Sequence, residues 1–236
     1  IAHRHFENFN LDLMYGLPHQ TPEEAHADIK TALGFAPPHL SAYHLTIEPN
    51  TYFHRFPPQL PDDDTAATMQ MAIEALLAEH GYAHYETSAF ARPGARSRHN
   101  LNYWNFGDYL GIGAGAHSKL SFPDRIVRQM RYKQPKQYMQ SAATGGAIQQ
   151  EQEVSVREVG FEFMMNALRL TEGFEAGLFL ERAGVPLNAV LKELDEAERR
   201  GLIMRDHLRI APTPLGQRFL NDLLQIFLGE PARAGQ

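Results

Sequence analysis

The chain has 236 residues and is 43% hydrophobic, enough to bury one or two ordinary domain cores. Its net charge of −6 and isoelectric point near 6.1 leave no electrostatic footprint for nucleic acid or an anionic membrane. Cysteine is absent, which excludes disulfides, thiolate-bound zinc and thiolate-held iron–sulfur clusters built from these residues alone.

The chain opens IAHRHFENF, without Met, as a processed or shortened chain would. FNLDLMYG (9–16) reads as a buried strand closed by a Gly-Leu-Pro turn. Thr21-Pro22-Glu23-Glu24 then supplies a helix cap, a proline for the first turn and acidic residues for the positive dipole end. That helix is expected to reach about Gly34, and HLSAYHLTI (39–47) to form a second strand. Strand, helix, strand makes a βαβ unit with parallel strands. One of Asp62, Asp63 and Asp64 caps a helix over about 64–80, with Met69, Ile73, Leu76 and Leu77 as its apolar stripe. YAHYETSAF (82–90) is rich in strand-forming residues. A glycine-studded strand is expected over 108–120, with RIVRQMRY as its return strand. Helices follow over 154–173, near 174–183 and over 187–200, then two short strands in LIMRDHLRIAP and a last helix over 212–228. That order is winged-helix-like. The change of character falls in TGGAIQQEQE, which predicts domains over 1–135 and 154–236, with PARAGQ frayed at the end.

Few residues stand out chemically. Asp12 sits in an apolar strand, where a carboxylate must be paired or turned toward a ligand. Ligands of α/β sheets collect at the carboxyl ends of parallel strands, which favours the second reading. Thr46 and Glu48 lie at the corresponding end of the next strand and say little by themselves; Glu86 and Thr87 are similar. HNLNYW (99–104) places an imidazole, two carboxamides and two large aromatics on one short loop. A neutral imidazole is a good axial ligand for heme iron, and flat aromatics suit a flat macrocycle. The alternative is that His99 and Asn100 tie down the loop while Tyr103 and Trp104 fill a core. The glycines at 107, 111, 113 and 115 mark close approach of backbone or ligand. They are no dinucleotide fingerprint, because no helix follows them.

The blocks NLDLMYGLPHQTPEEA, PPHLSAYHLTIEPNT, LPDDD, GYAHYETSAFARPG, HNLNYW and GDYLGIGAGAH resemble, in order, the oxygen-independent coproporphyrinogen III oxidase family of radical S-adenosylmethionine proteins. They look most like its HemW-type branch of heme chaperones. The resemblance is dense over 9–120 and weaker beyond. It implies an α/β fold: the later part of a partial (β/α)6 barrel with added strands, entered just before its fifth strand, then a mostly helical winged-helix-like domain. The family's CxxxCxxC motif and GGGTP segment are missing, so the ligands of its 4Fe–4S cluster are absent, and this chain alone should not cleave S-adenosylmethionine. By position in the family's motifs, Asp12, Thr46 and His117 would contact S-adenosylmethionine, and His99 in the HNxxYW block would be an axial ligand of heme. No catalytic residue is assigned.

The resemblance thus implies a heme-binding chaperone that hands heme to membrane respiratory proteins. It would be cytoplasmic, or peripheral at the membrane, and the unpaired side of strand 9–16 offers a route to a homodimer. A coproporphyrinogen III oxidase acting on the porphyrin precursor is the first rival. A winged-helix regulator is the second; NAVLKELDEAERRGL, its candidate recognition helix, carries four acidic against three basic residues, and no nucleic-acid partner is expected.

Overall fold

The computed structural model describes residues 1–228, so PARAGQ lies outside the described residues. The chain divides into two compact units, Ile1–Ser97 and Arg98–Gln236.

In the first unit a short helix α1 (Ala2–His5) leads into β1 (Asn10–Tyr15), α2 (Pro22–Leu33) and β2 (His39–His44). A one-turn helix α3 (Tyr52–Arg55), the long α4 (Asp63–Glu79), β3 (Ala83–Glu86) and β4 (Ala89–Ala91) complete it. Local chemistry sets the helix starts. Thr21 accepts from Glu24 N–H while the Glu24 carboxylate takes the Thr21 N–H, a closed capping box, and Pro22 opens the first turn. Asp62, of the three candidate aspartates, caps α4 by accepting from Thr65 N–H at 2.8 Å.

β1 and β2 pair in parallel, Asp12 opposite Ser41, as the βαβ reading requires. β2 ends at His44, short of the expected Ile47. The sheet order is β1–β2–β4–β3, and β4 runs antiparallel to both its neighbours. YAHYETSAF is therefore a tight hairpin and not one strand: Glu86 pairs with Ala89 across a two-residue turn at Thr87 and Ser88. One face of the sheet carries Leu11, Leu13, Tyr15, Leu40 and Ala42 into a core with Ile29 of α2 and Met69, Ile73 and Leu77 of α4. Period-two alternation puts Asn10, Asp12 and Met14 on the other face. β1 is an edge of the sheet, and Met14 on it is 45% exposed.

The second unit begins with α5 (Arg98–Trp104), β5 (His117–Ser121), β6 (Ile126–Arg131), α6 (Pro135–Ala142) and β7 (Ile148–Glu153). It continues through α7 (Val156–Ala167), β8 (Phe174–Glu175), α8 (Ala176–Ala183), a 3-10 turn at Leu187–Val190 and α9 (Leu191–Arg199). β9 (Ile203–Arg205), β10 (Arg209–Pro212), α10 (Pro214–Arg218) and α11 (Leu220–Phe227) end it. Its core centres on Phe163, met nearly edge-on by Phe106, Phe174 and Phe179 with ring centres 5.0–5.6 Å away. Phe106 and Ile126 belong to this same core. Residues 98–135, grouped with the barrel part from the sequence, thus join the helical part by their contacts.

Two further segments differ from the sequence reading. The polar IQQEQE, read as a linker, is a strand: β7 pairs antiparallel with β6, although all six of its residues are exposed. Of 108–120, only 117–120 fall in regular strand, and Tyr109 makes an isolated bridge to Lys119.

Candidate functional site

Asp12 lies on the sheet face opposite α2 and α4, in the middle of β1 and not at its carboxyl end. Its neighbour Asn10 is the hub of a polar network. Asn10 Oδ1 accepts from Ser41 Oγ at 3.2 Å and lies 2.7 Å from His39 Nδ1, while Asn10 Nδ2 donates to Asp12 Oδ1 at 2.8 Å. The other ring nitrogen, His39 Nε2, is 2.7 Å from the Tyr85 hydroxyl, which also accepts from Ser97 N–H at 3.3 Å. His39, Ser41 and Tyr85 are buried, whereas Asp12 is exposed. Burial holds the His39 imidazole below its ordinary range, with the Asp12 carboxylate pulling the other way. Thr46 lies past the end of β2, its hydroxyl 3.5 Å from the His44 carbonyl. At the carboxyl end of β1, Tyr15 stacks on His44 at 5.3 Å. Burial, reinforced by Glu74, pushes the Tyr15 hydroxyl up to about 12.

His99 and His117 lie in the second unit. HNLNYW is helical, forming most of α5, and not the loop expected from its sequence. The His99 imidazole is exposed and meets the Tyr103 ring edge-on at 4.9 Å; Tyr103 in turn lies 4.5 Å from Tyr109. Arg128 anchors the end of this row, donating to the Tyr109 hydroxyl at 2.8 Å and to Glu162. Trp104 is covered by the Arg169 guanidinium at 4.4 Å, and its buried Nε1 has no hydrogen-bond partner among the described residues. His99 is exposed on α5, while Tyr103 and Trp104 are half-buried. His117 is exposed at the start of β5, opposite Met130.

Comparison with known proteins bears on both units. A family model described as the HemN C-terminal domain matches residues 154–219. The chain is 46% identical over 226 residues to the heme chaperone HemW of Escherichia coli K12, covering 94% of this chain and 58% of that protein. It is 45% identical over 225 residues to the heme chaperone HemW of Haemophilus influenzae, covering 95% and 58%. Over the region it spans, the chain is a HemW homologue. That region is less than two thirds of the length of these relatives. Among solved structures, the coproporphyrinogen III oxidase HemN of Escherichia coli, a radical SAM enzyme, matches with a TM-score of 0.73 at 20% identity, over 96% of this chain and 56% of that one. At that identity the likeness speaks for the fold alone: the mixed α/β fold of this HemW homologue is that of HemN.

Sequence reasoning missed the residues that brace these sites. Asn10, His39 and Tyr85 were not singled out, though a histidine among the apolar residues of HLSAYHL was a signal. Lys119 was also missed. It is almost fully buried, and its ammonium donates to the Phe106 carbonyl, Asp108 Oδ1 and Ser121 Oγ, each at 2.9 Å. Desolvation lowers its affinity for the proton, with the Asp108 carboxylate opposing. For Asp108 burial alone would raise the carboxyl, but bonds from Ser121 N–H and Lys119 outweigh it and the value falls. This clamp ties the chain just after α5 to β5. Beside it, a Cβ at Gly111 would come within 2.3 Å of the His117 carbonyl oxygen, so only glycine lets that segment close on β5. Among the described residues no group of three His, Asp or Glu is arranged to hold a metal ion, and no helix is long and apolar enough to cross a membrane.

Proposed function

We propose that the chain is part of a HemW-type heme chaperone, with heme as its cargo. The observation that carries this reading is the 46% identity to a named heme chaperone over 94% of the chain, set against 20% to the oxidase whose fold it shares. His99 is the proposed axial ligand. It is exposed, and Tyr103 and Tyr109 beside it provide aromatic surface for a porphyrin. Membrane respiratory proteins are the proposed recipients, with cytoplasmic or membrane-peripheral residence and self-association through the β1 edge as parts of the same reading.

The radical S-adenosylmethionine side of the proposal falls on Asp12, Thr46 and His117. The residues around Asp12 fit a ligand rich in hydroxyl and amine donors: an exposed carboxylate with one oxygen already held by Asn10 leaves the other to accept. A thiolate-held 4Fe–4S cluster does not fit this chain, which has no cysteine, and no step is derived through one. In the proposed architecture the first unit is the later part of a partial barrel. The order α7, β8, α8, α9, β9, β10 in the second, with sheet order β8–β10–β9, is what supports reading it as a winged-helix-like domain. A DNA-binding role for that helix pattern is disfavoured, because acidic residues outnumber basic ones over 188–202 and several of the charges of α9 are paired within the unit. Glu196 binds Arg199 and Arg200, and Asp195 and Glu198 bind Arg205.

The test is a hemin titration of the protein at the full length of its relatives, run beside an assay for decarboxylation of coproporphyrinogen III. Saturable appearance of a Soret band without decarboxylation is expected. Decarboxylation without stoichiometric hemin binding would make it the oxidase.

A further inference from the structure

The polar network behind Asp12 has a direction that hydrogen-bonding capacity alone dictates. A carboxylate only accepts, so the Asn10 group facing Asp12 is its NH2, and the Asn10 group facing His39 and Ser41 is its carbonyl. His39 Nδ1 must then carry a proton. A ring buried in this way is neutral, so Nε2 is an acceptor and takes the Tyr85 hydroxyl proton. Ser97 N–H donates to the Tyr85 oxygen in turn. These four bonds therefore point the same way: Ser97 to Tyr85, Tyr85 to His39, His39 to Asn10, Asn10 to Asp12. Successive donors polarise one another along such a chain, and the last bond delivers the effect to the one exposed carboxylate.

We propose that His39 is a positioning residue for Asp12: through Asn10 it holds one Asp12 oxygen and so aims the other at a hydrogen-donating ligand on the open face of β1 and β2. The geometry argues for positioning over simple core filling. His39 bridges residues 29 and 46 positions away in sequence, on β1 and β3. A leucine at 39 would fill the same space and bury no polar group, so packing alone gives no reason for an imidazole. Asn10, with both ends of its carboxamide engaged, cannot flip without setting its carbonyl oxygen against the Asp12 carboxylate. The bond from Asn10 thereby restricts the Asp12 side chain and lowers the rotational freedom lost on binding.

This inference rests on the reading of Asp12 as a ligand residue, with S-adenosylmethionine as the probe. Calorimetric binding in the full-length protein is compared for the parent, Asp12→Asn, His39→Leu and His39→Gln. Asp12→Asn is expected to weaken binding about 10-fold or more, the loss of one charged hydrogen bond. His39→Leu should weaken it about 3-fold to 10-fold, the scale on which groups supporting a ligand residue act. His39→Gln, whose carboxamide can donate toward Asn10 and accept from Tyr85, should recover most of that loss. Nitrogen-15 NMR of the parent should show His39 neutral and protonated on Nδ1, with Nε2 bare. If Asp12→Asn leaves binding unchanged, the ligand reading fails, and the positioning role with it. If Asp12→Asn weakens binding but His39→Leu does not, the positioning role alone fails. An Nε2–H tautomer or an imidazolium at neutral pH overturns it independently. Should His39→Leu not fold, the His39→Gln affinity and the tautomer decide: loss of binding in His39→Gln as large as in Asp12→Asn would refute the proposal.

Discussion

Replacing Lys119 tests the energetics of the clamp after α5 most directly. In Lys119→Met the apolar stem is kept and the ammonium is lost, together with its bonds to Phe106 O, Asp108 Oδ1 and Ser121 Oγ. Removing one member of a buried ion pair costs about 3–5 kcal/mol. Two features lower that here. The Asp108 side chain is 44% exposed, so water can replace the lost partner. Asp108 also keeps Ser121 N–H at 2.9 Å and Ser121 Oγ–H at 2.8 Å. The uncompensated loss is then the Phe106 carbonyl, buried with its residue and deprived of a charged donor. We expect about 2 kcal/mol for Lys119→Met, one charged hydrogen bond's worth. Lys119→Ala should cost about 1 kcal/mol or more beyond that, from the buried methylenes removed. The assay is urea unfolding followed by the fluorescence of Trp104, the single tryptophan, which lies in the same unit. With a slope of about 1–3 kcal/mol per molar urea, the Met variant should move the midpoint by roughly 1 M. A Lys119→Met midpoint within about 0.3 M of the parent would show that the clamp contributes nothing net.

Three other outcomes follow from the sites. Asp12→Ala in the full-length protein should weaken S-adenosylmethionine binding by about 1.5–3 kcal/mol, and unchanged calorimetry would remove Asp12 from the site. His99→Ala should shift or abolish the Soret band of bound heme, whereas Tyr103→Leu should change affinity more than spectrum; an identical band and affinity in His99→Ala would leave His99 a surface residue of α5. The first unit should also lose stability in mild acid. Burial depresses the folded value of His39, so between that value and about 6.5 the unfolded chain binds more protons. The contribution of His39 is complete above about 6.5 and falls as pH drops below it. Urea unfolding monitored by circular dichroism should show a slope between pH 7 and 5 that flattens in His39→Gln; an equal slope in both would refute the assignment.

What the sequence disclosed and what it hid follow from the range of the interactions. Thr21, Pro22 and Glu24 act within one turn of each other, so α2 was legible to its first residue. Met69, Ile73, Leu76 and Leu77 recur at helical spacing and are all buried. The parallel pairing of β1 and β2 followed from the helix between them. HNLNYW went the other way. Asn, His, Tyr and Trp are middling or poor helix formers, and nothing local argues for a helix over 98–104. The helix is held from outside, by Arg169 over Trp104 and by Tyr109 against Tyr103. β7 was invisible for the opposite reason: after Ile148 its side chains are all polar, all six are exposed, and it is a strand because its backbone completes the ladder of β6.

The same contrast governs the candidate site. Asp12 stood out because a lone carboxylate in an apolar strand needs an explanation, and that needs only neighbours in sequence. Its explanation does not lie in those neighbours. Asn10 is two residues away, but what orients Asn10 is His39, and what orients His39 is Tyr85. Those partners come together only because β2 lies between β1 and the β3–β4 hairpin, and the hairpin is the element whose single-strand reading proved wrong. The hairpin brings Tyr85 of β3 within 2.7 Å of His39 on β2. If the network aims Asp12 as argued, the ligand residue is set by the βαβ unit and its orientation by the departure from it. Moving Tyr85 out of the hairpin should therefore disturb Asp12 while leaving the β1–β2 register intact.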